Sequence, residues 1–261
     1  MVPQISFVIP SIRPEKLQGV YDSLLASWHG NFEVVVVSPK EQVPLKLNPR
    51  GSIQWIVDFG CPSRAMQIGW INSKAGWIFN ATDDCEFFSD AINKAWKTLH
   101  KHEFDYKTII TTPFTESDRW SKWMLTPFYY HAWWHANLRS FNIPFHYKLV
   151  MNGLISKQLM QETGGWNCMF ESTAWAFNEF SIRAQALGAR IIIQNERSNH
   201  CVWSPGATGD HGPVSDACTL HDELLFYGIY HAKNSERSRN KPISVDNWRY
   251  VAAKWPRRNP S

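Results

Sequence analysis

Within the first 112 residues, five short apolar runs are separated by stretches of helical period, and this alternation is what most constrains the fold. The runs are ISFVIP (5–10), FEVVVVS (32–38), SIQWIVDFG (52–60), WIFNATDD (77–84) and YKTIITT (106–112). They are continuous rather than alternating, as strands covered on both faces must be. Between them, Leu17, Val20, Tyr21, Leu24, Leu25 and Trp28 recur at helical spacing, with Pro14 placed for a first turn. Residues 63–76 read as a helix stopped by Gly76, and 89–102 as a helix capped by Ser89. Strand and helix in turn predict an α/β fold with a mostly parallel central sheet flanked by helices. In such sheets ligands bind beyond the carboxyl ends of the strands. The segments PSIR, VSP, VDFG and TDDCE all fall at those ends, so four polar loops converge on one crevice.

The second half is read more coarsely. Residues 154–166 form a helix ending at Gly164 and Gly165. Residues 175–194 form a helix, a glycine stop and a strand. Residues 215–231 form a late helix with Ala217, Leu220, His221, Leu224, Leu225 and Gly228 on one face. Pro113 to Pro144 is aromatic-rich with weak periodicity.

Composition excludes several classes. At 44% apolar and 19% charged residues over 261 positions, the chain is globular rather than disordered. Its five cysteines are odd in number and contain no CxxC, which suits reduced thiols in a cytoplasmic protein better than a disulfide framework or a zinc site. His131 and His135 stand four apart but lack the companion glutamate of a zinc helix. No signal peptide or run of about 18 apolar residues is present, so any membrane contact would be peripheral. Net charge is +4, concentrated late: between Lys233 and Arg258 lie eight Lys or Arg and two acids. Adjacent Asp83 and Asp84, with Glu86 beyond them, suit either a solvated turn or a divalent cation.

Four segments, in order, resemble family-2-like glycosyltransferases of the GT-A fold. They are ISFVIPSIRPEKLQGVYDSLLAS, PSRAMQIGWINSKAGWIFNATDDCEFF, GLISKQLMQETGGWNCMFE and NEFSIRAQALGARI. The resemblance covers roughly residues 4–195. It implies a single GT-A domain over 1–230, with a nucleotide-sugar-binding half (1–112), an acceptor-side half (113–230) and a basic tail (231–261). It also implies a nucleotide-sugar donor, with a UDP-sugar favoured, a hydroxyl acceptor on a glycan or lipid-linked glycan, and Mn²⁺ or Mg²⁺ on the donor diphosphate. Pro10, Ser11, Arg13, Ser38, Asp58, Arg64 and Asp83 are the implied donor-side residues. Asp84, Glu86 and His211 are the implied metal ligands, with His200 as a second histidine. Inversion is expected from the resemblance alone.

One departure matters. The Glu-Asp pair of many relatives falls here on Ala176 and Phe177. Glu179 and Glu171 are the remaining candidates for the base. Trp120, Trp123, Trp133 and Trp134 lie in the implied acceptor region. The basic tail interleaves Arg237, Arg239, Lys241, Arg249, Lys254, Arg257 and Arg258 with Trp248, Tyr250 and Trp255, a composition that suits nucleic acid or anionic lipid. Two alternatives follow: transfer to hydroxymethylated bases of phage-type DNA, and an inactive protein that binds sugar nucleotides or glycans.

Overall fold

The computed structural model describes residues 2–117, 147–202, 212–230 and 240–256. The four acceptor-region tryptophans, His131, His135, His211, Arg237, Arg239, Arg257 and Arg258 lie outside them.

Seven strands build the main sheet: β1 (Ile5–Pro10), β2 (Phe32–Ser38), β3 (Gly51–Val57), β4 (Trp77–Asn80), β6 (Thr108–Thr111), β8 (Gly153–Ser156) and β9 (Arg190–Ile193). Their order is β3-β2-β1-β4-β8-β6-β9. All pairings are parallel except those of β8, which runs antiparallel to both β4 and β6. A second sheet joins β5 (Cys85–Phe87), β10 (Asn199–Val202) and β7 (Thr115–Ser117).

Period-2 alternation divides the core into two layers. Phe7, Ile9, Val34, Val36 and Phe79 face one side, with Leu17, Val20, Tyr21 and Leu24 of α1 (Leu17–Ser27) and Ile92, Ala95 and Leu99 of α3 (Ala91–Lys101). Val8, Val35 and Ile78 face the other. There they meet Met66 and Trp70 of α2 (Pro62–Asn72) and Phe177 and Phe180 of α5 (Thr173–Ala186). No helix among the described residues is long and apolar enough to cross a membrane.

Several local expectations are corrected. Residues 153–156 form a strand rather than the start of a helix, because Leu154 and Ile155 fill the slot between β4 and β6. The helix α4 (Lys157–Thr163) begins only after Ser156, whose Oγ accepts from Gln158 N at 3.1 Å. Helix α2 stops at Asn72, before Gly76, as Ser73 turns extended and its hydroxyl donates to Trp70 O at 2.6 Å. Ser89 does not cap α3. Asp90 holds that place at φ 58°, and Ser27 Oγ on α1 accepts the Ile92 N–H at 3.1 Å instead.

The late helix is broken into α6 (Gly212–Ala217) and α7 (Glu223–Tyr230) by a π-turn at Cys218–Asp222. The extra residue rotates the register. Ala217, Asp222, Phe226 and Tyr230 are buried, while Leu220 and Leu224 are 61% and 69% exposed.

The Gly-Gly turn after α4 is as expected, with φ of 89° at Gly164 and 73° at Gly165. A Cβ at Gly165 would lie 2.4 Å from Trp70 Nε1. Gly165→Ala therefore combines an unfavourable left-handed backbone with a clash. It should lower stability by about 2 kcal/mol or more in chemical denaturation.

Candidate active site

The sheet order reverses between β1 and β4, where β2 lies to one side and β8 to the other. At such a switch point the loops diverge and leave a crevice. A cleft of about 700 Å³ opens there, lined among others by Pro10, Ser11, Arg13, Asp58, Asn80, Asp83 and Asp84.

Asp83 ties the two loops of the switch point together. Its Oδ2 accepts from Ser11 Oγ (3.1 Å), Ile12 N (3.0 Å) and Arg13 N (2.9 Å). Its Oδ1 accepts from Arg13 Nε at 3.0 Å and from Arg13 Nη2. Five donors saturate a carboxylate with roughly four lone-pair sites. Arg13 Nη2 also reaches Asp84 Oδ2 at 3.1 Å. Burial opposes the charge on the Arg13 guanidinium, and the hydrogen bonds and charges of Asp83 and Asp84 outweigh it, so its pKa is raised.

A divalent cation would therefore find Asp83 occupied. Asp84 keeps one oxygen that accepts no hydrogen bond among the described residues. The Cys85 thiol is pushed up to about 12, first by burial, and stays protonated at neutral pH. Glu86 is exposed and outside the cleft, opposite His200 in the β5–β10 pairing. Among the described residues no three His, Cys, Asp or Glu side chains converge. Among the described residues Asp84 alone fits as a protein ligand. That is sufficient for Mg²⁺ held by one carboxylate, substrate phosphates and water.

On the β3 flank of the cleft, Asp58 follows β3 and is engaged by Arg64 of α2: Nη2 to Oδ1 at 2.9 Å, and Nε to both oxygens at 3.1 Å. Gly60 N donates to Asp58 Oδ2 at 2.9 Å. Arg64 also donates to Trp248 O and lies over the Trp248 ring at 4.9 Å. It is not a cleft-lining residue, nor is Ser38, whose Oγ accepts from Lys40 N at 3.0 Å.

The two glutamates part company. Glu179 is 3% exposed and locked to fully buried Arg183, with Nε to Oε1 at 2.8 Å and Nη2 to Oε2 at 2.7 Å. Arg183 also donates to Thr163 O and Gly165 O. Glu179 thus braces the Gly-Gly turn and does not line the cleft. Glu171, 8% exposed, is not itself a lining residue, but it lies just before α5, where Thr173 and Phe177 line the cleft, and its Oε2 accepts from the indole Nε1 of cleft-lining Trp255 at 2.9 Å. Asp222, in the π-turn, accepts from Glu171 N (2.9 Å) and Ser172 N (2.7 Å), fixing this entry to the helix.

Sequence reading missed what residues 240–256 do. Gln67 Nε2 donates to Val245 O at 2.8 Å, Cys168 N to Asn247 Oδ1 at 2.8 Å, and Trp255 N to Phe59 O at 2.8 Å. This strap brings Lys254 and Trp255 to the cleft wall. No local signal announces it, because its partners lie 79 to 178 residues away for the first two of these contacts.

No protein-family model matches the chain. No characterised protein matches it by sequence. Solved structures do. S. aureus TarS superposes with a TM-score of 0.55 at 11% identity, over 86% of this chain and 43% of that one. TarS 1–349 in complex with UDP gives 0.56 at 12% identity, over 90% and 68%. A second structure of TarS 1–349 gives 0.55 at 11% identity, over 89% and 73%. The chain thus spans less than half of the longer TarS chain. TarS is a family-2-like glycosyltransferase, and this chain has the same GT-A fold.

Proposed function

We propose that the chain is a nucleotide-sugar glycosyltransferase whose donor is a UDP-sugar. The observation that carries this reading is the switch-point cleft, where Asp83 clamps the loop after β1 to the loop after β4 within a fold shared with a UDP complex of TarS. Arg13, paired with both Asp83 and Asp84, holds these carboxylates in place beside the proposed diphosphate site. Asp84 would hold Mg²⁺ or Mn²⁺, which supplies charge neutralisation on the leaving diphosphate. Glu171 is the general base. An acceptor hydroxyl oxygen attacks the anomeric carbon, its proton passes to the Glu171 carboxylate, and the bond to the diphosphate breaks with its electron pair leaving on UDP. One such displacement inverts the anomeric centre.

The proposed acceptor is a glycan or lipid-linked glycan, and the proposed compartment is the cytoplasm. A nucleic-acid acceptor is a second reading. Tyr250 is 81% exposed and Arg249 61%, a basic and aromatic surface on the strap. A binding constant for duplex DNA that falls steeply with salt would favour it.

The deciding experiment is a thermal-shift series with UDP- and GDP-sugars, with and without Mn²⁺. Ligand at a hundred times its Kd should stabilise the fold by about 2.7 kcal/mol. We expect this for UDP-sugars, together with slow release of UDP on incubation with acceptor or water. No shift with any nucleotide sugar would refute the reading. A shift with no turnover on any acceptor would leave a binding protein instead.

A further inference from the structure

Asn80 is the last residue of β4, 2% exposed, and a lining residue of the cleft. Both of its side-chain polar atoms, Nδ2 and Oδ1, have no hydrogen-bond partner among the described residues. Buried polar groups are almost always paired, because a buried unpaired group loses its hydration for nothing. Among the described residues Gln54, Ser63, Trp166 and Trp248 each carry one such atom, but none of them lines the cleft, and only Asn80 carries two.

Its position is equally specific. Val8 and Asn80 are register partners across the β1–β4 junction, which is the switch point itself. Alternation puts Asn80 on the side of Ile78, the layer that holds Met66 and Phe177, and both of these line the cleft with it. Phe177 falls on one of the two positions where the resembled family carries an acid, so that lining position is apolar.

We propose that the Asn80 carboxamide recognises the sugar of the donor by pairing with two of its neighbouring hydroxyls, one accepting and one donating. This rests on the glycosyltransferase reading above. The chemistry selects hydroxyls over phosphate. A phosphate only accepts hydrogen bonds and would leave Oδ1 orphaned, whereas a pair of hydroxyls satisfies both atoms. Distance selects the sugar over the base. Asp58 and Asn80 end strands three places apart, about 14 Å at roughly 4.8 Å per strand. A nucleoside seated over the ends of β2 and β3 directs its diphosphate past Arg13 and Asp84, and its sugar to β4.

The test is calorimetric binding of UDP, UDP-glucose, UDP-galactose and UDP-N-acetylglucosamine to wild type, Asn80→Leu and Asn80→Ala, with melting temperatures of the unliganded proteins. Leu keeps the branched shape and heavy-atom count of Asn, is somewhat bulkier, and removes both polar atoms. We expect UDP affinity to stay within about twofold in both variants. The preferred UDP-sugar should lose about tenfold or more, erasing its advantage over the others, as when a paired hydrogen-bonding site is removed. Unliganded Asn80→Leu and Asn80→Ala should both melt close to wild type, since no hydrogen bond is broken and the position borders the cleft. Equal loss of UDP and UDP-sugar affinity would overturn the proposal and assign Asn80 to the nucleotide. So would unchanged sugar discrimination, or a markedly lower melting temperature in both variants, which would make the amide a support of the fold. Wild type that binds none of the four compounds would refute the glycosyltransferase reading itself, and this proposal with it.

Discussion

Glu179→Gln should lower the stability of the protein by about 3–5 kcal/mol, the cost of leaving a buried charge without its partner. Arg183 is 0% exposed, and Glu179 is its only carboxylate partner among the described residues. Burial opposes the Arg183 charge, and the charge and hydrogen bonds of Glu179 outweigh it, so its pKa is raised. Without that carboxylate, the guanidinium keeps its bonds to the Thr163 and Gly165 carbonyls but no countercharge. For a chain of this size each kcal/mol corresponds to roughly 2–4 °C, so the melting temperature should fall by about 10 °C. Protein that remains folded should still bind UDP. A variant that melts like wild type yet loses catalysis would instead return Glu179 to the chemistry, although it does not line the cleft.

The second large effect should appear at Asp84 and separate it from its neighbour. Asp84→Ala deletes one ion pair with Arg13, while Arg13 keeps two bonds to Asp83. The fold should therefore change little. Any Mn²⁺-dependent part of the UDP-induced thermal shift should disappear, and transfer should fall by about 100- to 1,000-fold, as when a preorganised electrostatic group is removed. Asp83→Ala should behave differently. It orphans the amides of Ile12 and Arg13 and unties the two loops, so stability and donor affinity should fall together. Identical behaviour of the two variants, or a Mn²⁺-dependent shift that survives in Asp84→Ala, would dismiss the assignment of the cation to Asp84.

Much of the first half was legible because its signals are local. Val-rich runs such as 32–38 are strands wherever helices cover them, and the strand-then-loop order alone places Pro10, Asp58, Asp83 and Asp84 on one edge. The Gly164–Gly165 turn was legible because only glycine takes its backbone angles without strain. What failed was decided by distant partners. Leu154 and Ile155 continue a helical pattern, yet a vacancy between β4 and β6 makes them a strand. The π-turn at 218–222 exists because Asp222 is drawn in to the amides of Glu171 and Ser172, and that extra residue moved the buried face of the last helix.

For the site, the sequence determined which residues could carry charge and at which end of the sheet they would stand. It also offered both Glu171 and Glu179, alike in type and both near the Gly-Gly turn. Only the tertiary structure separated them, by seating Arg183 against Glu179 and the Trp255 indole against Glu171. Only the tertiary structure showed that Asp83 is saturated, that the strap at 240–256 forms part of the cleft wall, and that Asn80 is buried without a partner among the described residues. Local pattern sets backbone conformation and side-chain direction. Whether a polar group is free, paired or stranded depends on atoms that approach from far along the chain.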